Sequence, residues 1–531
     1  MNPPLPPEDW WRFADPVVWV PTAGEMALID GHAIASGAIP ERALIENAGR
    51  ALAHRVQARW PEGRVLTLAG SGHNGADALV AARTLHAWGR TVELVRCGSR
   101  PPEPDVLAGW DLALSDVSCL DEALSRAEVV LDGILGTGVT AAPRAPQAGI
   151  IDRVNASGRR VVAVDGPSGV DFTTGGIPGA SIRAELTVTF GWPKLGLLRF
   201  PARARCGTLE VVEIGFPPPG TPPGVRALTP AWVGSYLPEP GDDAHKGRAG
   251  YLTLVGGRVG MAGAVVLAAR AAIRSGVGIV RIVSAPGNRE VIQTAVPGAV
   301  FVDWDDRGAV TDALAWASAV AVGPGLGAGP EQIELARTVV AERGEKPLAI
   351  DADGLNAWAG DPEALREANA GDALLTPHPG ELARLIEVTI DEVLADPLAA
   401  ARGAAATTGC TVLLKGTPVW VADTSGAASV TVHASPVFAG GGMGDVLAGA
   451  CGAFLASGLR PGEAAGAALM VSALGVLGGA STSGIVAEDV PDLLPLGRRR
   501  LRELTPGGWP GVVLALPAAV ESRPQSPSAA T

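Results

Sequence analysis

Short runs of valine, leucine and isoleucine recur along this chain, each followed by an alanine- and arginine-rich stretch of helical length. That alternation restricts the fold to βα units. A first series reads VLTLAG (Val65 to Gly70), VELVR (Val92 to Arg96), VVLDGIL (Val129 to Leu135) and VVAVDG (Val161 to Gly166). A second reads YLTLVGG (Tyr251 to Gly257), GIVRIVS (Gly278 to Ser284), AVAVGPGLG (Ala319 to Gly327), LAIDADG (Leu348 to Gly354), ALLTPHPGE (Ala373 to Glu381) and TVLLKG (Thr411 to Gly416). Apart from Glu93 and Arg281 the runs are apolar rather than alternating with polar residues, the pattern of strands whose sheet carries helices on both faces. Between the series lies GFPPPGTPPG (Gly215 to Gly224), too rich in proline and glycine to continue either element. The expectation is an α/β protein of two domains, each a parallel sheet covered by helices. They span residues 20–220 and 229–505, with an extension at 1–19, a linker at 221–228 and a tail at 506–531. The last segment, ESRPQSPSAAT, lacks apolar periodicity and is expected to be disordered.

The 531 residues, 47% hydrophobic and 18% charged, supply enough apolar material for two large cores. A net charge of −13 excludes the basic face that a nucleic-acid partner requires. Cys97, Cys119, Cys206, Cys410 and Cys451 are far apart and form no CxxC pair, so neither a disulfide framework nor a zinc site is indicated. A reducing, cytoplasmic setting is expected. The opening MNPPLPPEDWWRFADP has acids and prolines where a secretory signal needs a basic start and an apolar run. The stretch Ala464 to Ala480, within the longest uncharged run of the chain, is read as a buried helix rather than a membrane span.

Of 42 basic residues only four are lysines: Lys194, Lys246, Lys346 and Lys415. The strings WPKLG, AHKGRAG and LLKGTP keep lysine where arginine is otherwise written, which marks positions needing a compact ammonium. Asn47, Asn74 and Asn356 are similarly scarce and similarly placed in patterned strings. Lys246 receives no role.

In the first series, GSGHNGADA (Gly70 to Ala78) follows a strand and opens a helix, so its amide groups can converge on an anion. It also satisfies GxGxxG. The second strand ends in Arg96-Cys97 rather than the acid that holds a ribose, which disfavours a redox dinucleotide. Asp132, Asp165, Ser168 and Lys194 stand at or just beyond further strand ends, where ligands bind in open α/β sheets. Any one aspartate there could equally be a cap or turn former.

Taken with IENAGRALA in the run Met26 to Val56, the strings GSGHNGADA, LDGILGTG, VDGPSGVD and TVTFGWPKLG resemble, in this order, the Rossmann-like NAD(P)H-hydrate epimerase domain. The resemblance implies that His73, Asn74, Gly75, Ala76 and Asp77, the segment Gly136, Thr137, Gly138, Val139, Thr140, Ala141 and Ala142, and Asp165 hold the hydrated nucleotide. It further implies a potassium ion at Asn74, Asp132 and Ser168, with Asp165 as the proton-transfer residue. Oxygen donors of this kind suit a hard cation. The family loop reads NNGGDG, so Ala76 and Ala78 replace glycines here. If either glycine needs a positive φ, alanine costs about 1 kcal/mol or more there and displaces the loop.

In the second series, FAGGGMGDVLAG (Phe438 to Gly449) sets Gly440, Gly441, Gly442 and Gly444 around Asp445, just before an alanine- and leucine-rich helix. Amides and helix dipole can cradle a phosphate while the carboxylate takes a proton from an attacking hydroxyl. HKGRAGYLTLVGG, VGPGLG, IDADGLN, LTPHPGE, LLKG and GGMGDVLAG resemble, in order, the ribokinase-like superfamily and within it the ADP-dependent NAD(P)H-hydrate dehydratase. That resemblance implies substrate contacts at Ala264, Gly325, Gly327, His378 and Asp445. It implies nucleotide contacts at Lys415, Gly416, Thr417, Pro418, Val419 and Gly444, with Asp445 catalytic, ADP as co-substrate and Mg2+ as its ion. The expected function is repair of hydrated NADH and NADPH (NADHX and NADPHX), by epimerisation of the R and S hydrates and dehydration of the S hydrate. A homo-oligomer is expected. A small-molecule kinase of the same fold, a first domain that binds without turnover, and a two-domain dehydrogenase remain the competing readings.

Overall fold

The computed structural model describes residues 17–100, 102, 105–238, 249–369, 371–433, 435–478, 484–503 and 512–519. Lys246, residues 1–16 of the N-terminal extension and the segment 521–531 lie outside the described residues. Two compact units emerge, one from residues 17–223 with 512–519, the other from 224–503.

The strands, in chain order, are β1 (Val65–Ala69), β2 (Val92–Arg96), β3 (Leu114–Ser115), β4 (Val129–Gly133), β5 (Arg160–Val164), β6 (Leu186–Phe190) and β7 (Thr208–Val212). There follow β8 (Val225–Leu228), β9 (Tyr251–Val255), β10 (Ile279–Ser284), β11 (Val300–Asp303), β12 (Ala319–Val322), β13 (Leu348–Ile350) and β14 (Ala373–Leu375). The last are β15 (Thr411–Leu414), β16 (Trp420–Ala422), β17 (Ala428–Thr431) and β18 (Val512–Leu516).

The first unit orders its sheet β18-β7-β6-β5-β4-β1-β2-β3. β1, β4 and β6 are buried at all five positions, as unbroken apolar runs require when helices cover both faces. The chain steps outward from β1 through β2 to β3, then returns beside β1 as β4 and continues the other way. Neighbouring connections therefore diverge at the carboxyl ends of β1 and β4 and leave a crevice there.

The second unit repeats the device with order β11-β10-β9-β12-β13-β14-β15-β16-β17-β8, its reversal falling between β9 and β12. The helix Met443–Ala456 lies against the helix Ala262–Ser275 through Gly449, where a Cβ would come within 1.9 Å of the Ala268 carbonyl. The helix Pro461–Leu477 is buried at nearly every position from Ala464 to Val476, as its composition led us to expect. Among the described residues no helix is long and apolar enough to cross a membrane.

Three expectations need correction. Residues 225–228, read as linker, form β8 and pair in parallel with β17. Residues 512–516, read as tail, form β18 and pair antiparallel with β7 in the first unit's sheet. Leu514 and Leu516 are buried there, and the Arg203 guanidinium donates to the Pro517 carbonyl, so an apolar run of five covers an edge that would otherwise expose unpaired amides. Finally, neither sheet is wholly parallel: β18 is antiparallel in the first, and in the second β16 pairs antiparallel with both β15 and β17, turning into β17 through a hairpin at Asp423–Gly426. Asp423 accepts from the Ser425 amide and Gly426 has φ 86°, the turn chemistry of a short hairpin.

Candidate active sites

In the first unit, the helix His73–Ala87 starts immediately after the β1 turn, so His73, Asn74, Gly75, Ala76 and Asp77 form its first turn. A Cβ on Gly75 would fall 2.2 Å from the Gly70 carbonyl, so this position tolerates only glycine. Ala76 and Ala78 are fully buried within the helix and neither has a positive φ. The anticipated strain from these two alanines is absent.

The Asn74 amide group donates to the Leu135 carbonyl at 2.8 Å, while its Oδ1 is buried without a hydrogen-bond partner. Asp132, the fourth residue of β4, is fully buried and accepts from the Ser168 amide at 2.8 Å and the Ser168 hydroxyl at 2.6 Å. Leu135 donates its amide to Ser168 Oγ at 2.9 Å. Asn74, Asp132 and Ser168 thus meet around one backbone segment at the β1/β4 crevice. Burial raises the Asp132 carboxyl to about 6 against the pull of these hydrogen bonds. The loop from Gly136 to Ala142 follows directly, with Gly136 beside the Asn74 side chain and Gly138, Thr140, Ala141 and Ala142 exposed.

Asp165 ends β5 with φ 62°, a strained conformation of the kind that active sites retain. Its Oδ1 accepts from the Thr189 hydroxyl at 3.0 Å, from the Phe190 amide at 3.1 Å and from the ammonium of Lys194. Lys194 is almost wholly buried and donates further to Thr189 Oγ1 and the Phe190 carbonyl. Asp77, also buried, is pushed well up by burial and by the like charge of Asp165. His73 turns outward to Glu41, 2.9 Å away, with both side chains exposed.

In the second unit, Gly442 precedes the helix Met443–Ala456 with φ 83°, which sets the glycine turn against the helix N-terminus. Asp445 lies in the first helical turn, half-buried, its carboxyl raised to about 6 by burial and then by the charges of Asp351 and Asp353, with Lys415 opposing. Lys415, Gly416, Thr417, Val419 and Gly444 line one cleft. Pro418 is not among its lining residues. The remaining wall is largely apolar, with Phe438, Met443, Leu469 and Val490, and His433 there is held down to about 4 by burial.

Gly325 approaches Ala264, whose Cβ lies 2.9 Å from where a Gly325 Cβ would be. The Gly327 amide donates to Asp353 Oδ2 at 2.8 Å. His378 caps the helix Pro379–Leu385, its Nδ1 accepting from the Gly380 amide at 3.0 Å and the Glu381 amide at 3.3 Å. With Nδ1 so used, Nε2 faces Glu381 Oε1 at 3.4 Å, and half of the His378 side chain is exposed. The Lys415 amide donates to the Pro377 carbonyl at 2.8 Å, tying the cleft to the His378 loop.

Sequence reasoning missed four residues. Asp351 pairs with Lys415, and Asp353 holds the Gly327 loop, although both stand in the quoted string IDADGLN. Glu381 caps the His378 amide at 2.8 Å and lies within electrostatic reach of Lys415. Asp30 reaches the first site from the helix Ala23–Ala35; burial raises it to about 6, with Lys194, Asp165 and His73 as charged neighbours. Only its i+4 spacing from the buried Met26 hinted at an inward face. Asn47, singled out by rarity, donates to the Ile214 carbonyl at 2.8 Å and is structural.

Two α/β units, each with a polar crevice at its strand ends and one with a glycine-turned helix N-terminus beside a carboxylate, define a two-domain enzyme acting on anionic small molecules. A family profile described as NAD(P)H-hydrate dehydratase matches residues 252–484, and one described as YjeF-related protein N-terminus matches residues 41–196. The bifunctional NAD(P)H-hydrate repair enzyme Nnr of Salinibacter ruber is 36% identical over 518 residues, covering 89% of this chain and 95% of that one. Its counterpart from Moorella thermoacetica is 34% identical over 524 residues, covering 92% and 98%. A solved ADP/ATP-dependent NAD(P)H-hydrate dehydratase from Bacillus subtilis, co-crystallised with ATP/Mg2+, is 27% identical and covers 52% of this chain and 98% of its own, with a TM-score of 0.46. The chain belongs to the family of bifunctional NAD(P)H-hydrate repair enzymes.

Proposed function

We propose that the first unit interconverts the R and S hydrates of NADH and NADPH and that the second dehydrates the S hydrate at the expense of ADP. The observation that carries this reading is the approach of Lys415 to Gly444 in the cleft wall, with Asp445 the next residue of the same helical turn and within electrostatic reach of Lys415. Hydroxide is a poor leaving group, whereas phosphate leaves with a conjugate-acid pKa lower by roughly nine units. Asp445 takes the proton of the C6 hydroxyl as its oxygen attacks the terminal phosphorus of ADP, and the bond to AMP breaks. Phosphate then departs with the C6–O bond as the ring nitrogen donates its lone pair, and loss of the C5 proton restores the dihydropyridine. Helix-terminal amides and the Lys415 ammonium carry the phosphoryl charge.

In the first unit Asp165 serves as the proton-transfer group and Lys194 fixes its orientation. The segment Gly136 to Ala142 and the first turn from His73 to Asp77 bind the nucleotide. Potassium fits the donor set: Asn74 Oδ1 is buried and unpartnered, and Asp132 is buried with no charged side chain among the described residues shifting it. Asn74, Asp132 and Ser168 would hold the ion, which supplies charge compensation next to the substrate. For Mg2+, the described residues contain no group of three or more His, Cys, Asp and Glu side chains placed to hold a metal ion, and the ion would enter on the phosphate oxygens of the nucleotide. A cytoplasmic homo-oligomer completes the reading.

Incubating the chain with pure S hydrate and ADP tests it. Restored reduced-nicotinamide absorbance with equimolar AMP and phosphate is expected. Accumulation of a stable phosphorylated hydrate without that absorbance would select a kinase instead.

A further inference from the structure

The Lys415 ammonium lies just beyond the end of β15 and reaches the carboxylate of Asp351, just beyond the end of β13. Asp351 is 2% exposed, and its Oδ1 also accepts from the Thr376 hydroxyl at 2.7 Å. The carboxylate is thereby locked from two sides. Lys415 keeps part of its side chain exposed and lines the cleft. A Cβ on Gly444 would lie 3.1 Å from Lys415 Nζ and 3.8 Å from Asp351 Oδ2, so the pair presses against the residue that precedes Asp445. Ala352, between Asp351 and Asp353, has φ 48° in a non-glycine residue, strain that persists only where the surroundings hold it.

We propose that Asp351 is a positioning residue for the nucleotide-dependent dehydration: it anchors Lys415 Nζ beside Gly444, where the ammonium meets the phosphoryl group in transfer, and keeps it from closing onto Asp445. The inference rests on the nucleotide-dependent reading of this unit. A lysine released from Asp351 would have Glu381 and Asp445 as the remaining carboxylates, and turning to Asp445 would neutralise the base it should serve. The charges facing Asp445 are Asp351 and Asp353, which raise it, and Lys415, which lowers it. Asp351 first, and then Glu381 beside the His378 loop, hold the Lys415 ammonium charged against the opposing effect of burial.

The pH profile of dehydration by the full chain, with pure S hydrate and saturating ADP, separates this role from a merely structural one. In Asp351→Asn a like charge is gone and Lys415 is free to turn, so the acid limb moves down by about one unit. Turnover at the plateau falls about 10- to 100-fold, the scale of a catalytic group misplaced by about 1 Å. In Lys415→Met the opposing charge is gone, and the acid limb moves up. Opposite displacements in the two variants support the proposal. A folded Asp351→Asn chain whose limb stays with the wild type overturns it, as does an unmoved limb in Lys415→Met, which decides alone if Asp351→Asn does not fold. Absence of any ADP-dependent dehydration by the wild type brings down the underlying reading and this inference with it, and is distinguishable from both.

Discussion

Each unit buries a lysine–aspartate pair at its strand ends, and the two pairs are turned in opposite directions. In the first, Lys194 is 2% exposed and Asp165 14%; in the second, Asp351 is 2% exposed and Lys415 21%. One site offers the acid to its crevice and hides the cation, and the other does the reverse. Proton transfer needs a presented carboxylate, whereas phosphoryl transfer needs a presented positive charge. The same ion pair thus serves two chemistries according to which partner faces the ligand.

The largest effect should come from exchanging the two proton-handling acids for amides. Asp445→Asn is expected to cut dehydration by about 10² to 10⁴ while epimerisation continues, and Asp165→Asn to do the opposite. Rates on each pure hydrate epimer measure this, and loss of both activities in either variant would break the division of labour. The buried lysines should also differ in stability. Lys194→Met leaves Asp165 with an uncompensated buried charge and should cost the first unit about 3–5 kcal/mol in equilibrium denaturation, with Lys415→Met costing its own unit less because that lysine is partly solvated.

A pH profile sharpens the comparison at the second site. Asp445 must be ionised to accept a proton, and burial together with Asp351 raises it to about 6. Dehydration should therefore be full above that value and fade as pH falls through it. The smallest effect concerns the altered first-unit loop: Ala76→Gly and Ala78→Gly, in a helix turn with no positive φ, should each destabilise by about 1 kcal/mol without raising the epimerisation rate. A faster epimerase from either reversion would show that the native alanines obstruct the site.

Much of this was legible in the chain. Apolar runs announced most of the parallel strands but not β3, β7, β8 or β11, and glycine-rich strings and rare lysines marked the loops at the strand ends. The partners of those lysines were less visible. Lys194 and Asp165 are 29 residues apart and Lys415 and Asp351 are 64 apart, pairings set by strand order rather than by spacing. Asp351 reads in sequence like any turn aspartate, and its burial appears only when β13, β14 and β15 lie side by side. β18 was hidden for the same reason, since its partner β7 lies some three hundred residues earlier. The alanines of the first loop show the converse: a departure from a glycine pattern carries no cost when the backbone there is already helical.

One measurement reaches the centre of the account: a mixture of both hydrate epimers given ADP and the Asp445→Asn chain. The expected result is equilibrated epimers with almost no reduced nicotinamide regained, where the wild type returns both epimers to NAD(P)H. Recovery of NAD(P)H at the wild-type rate by that variant would contradict the assignment of the glycine-flanked carboxylate to phosphoryl-assisted dehydration.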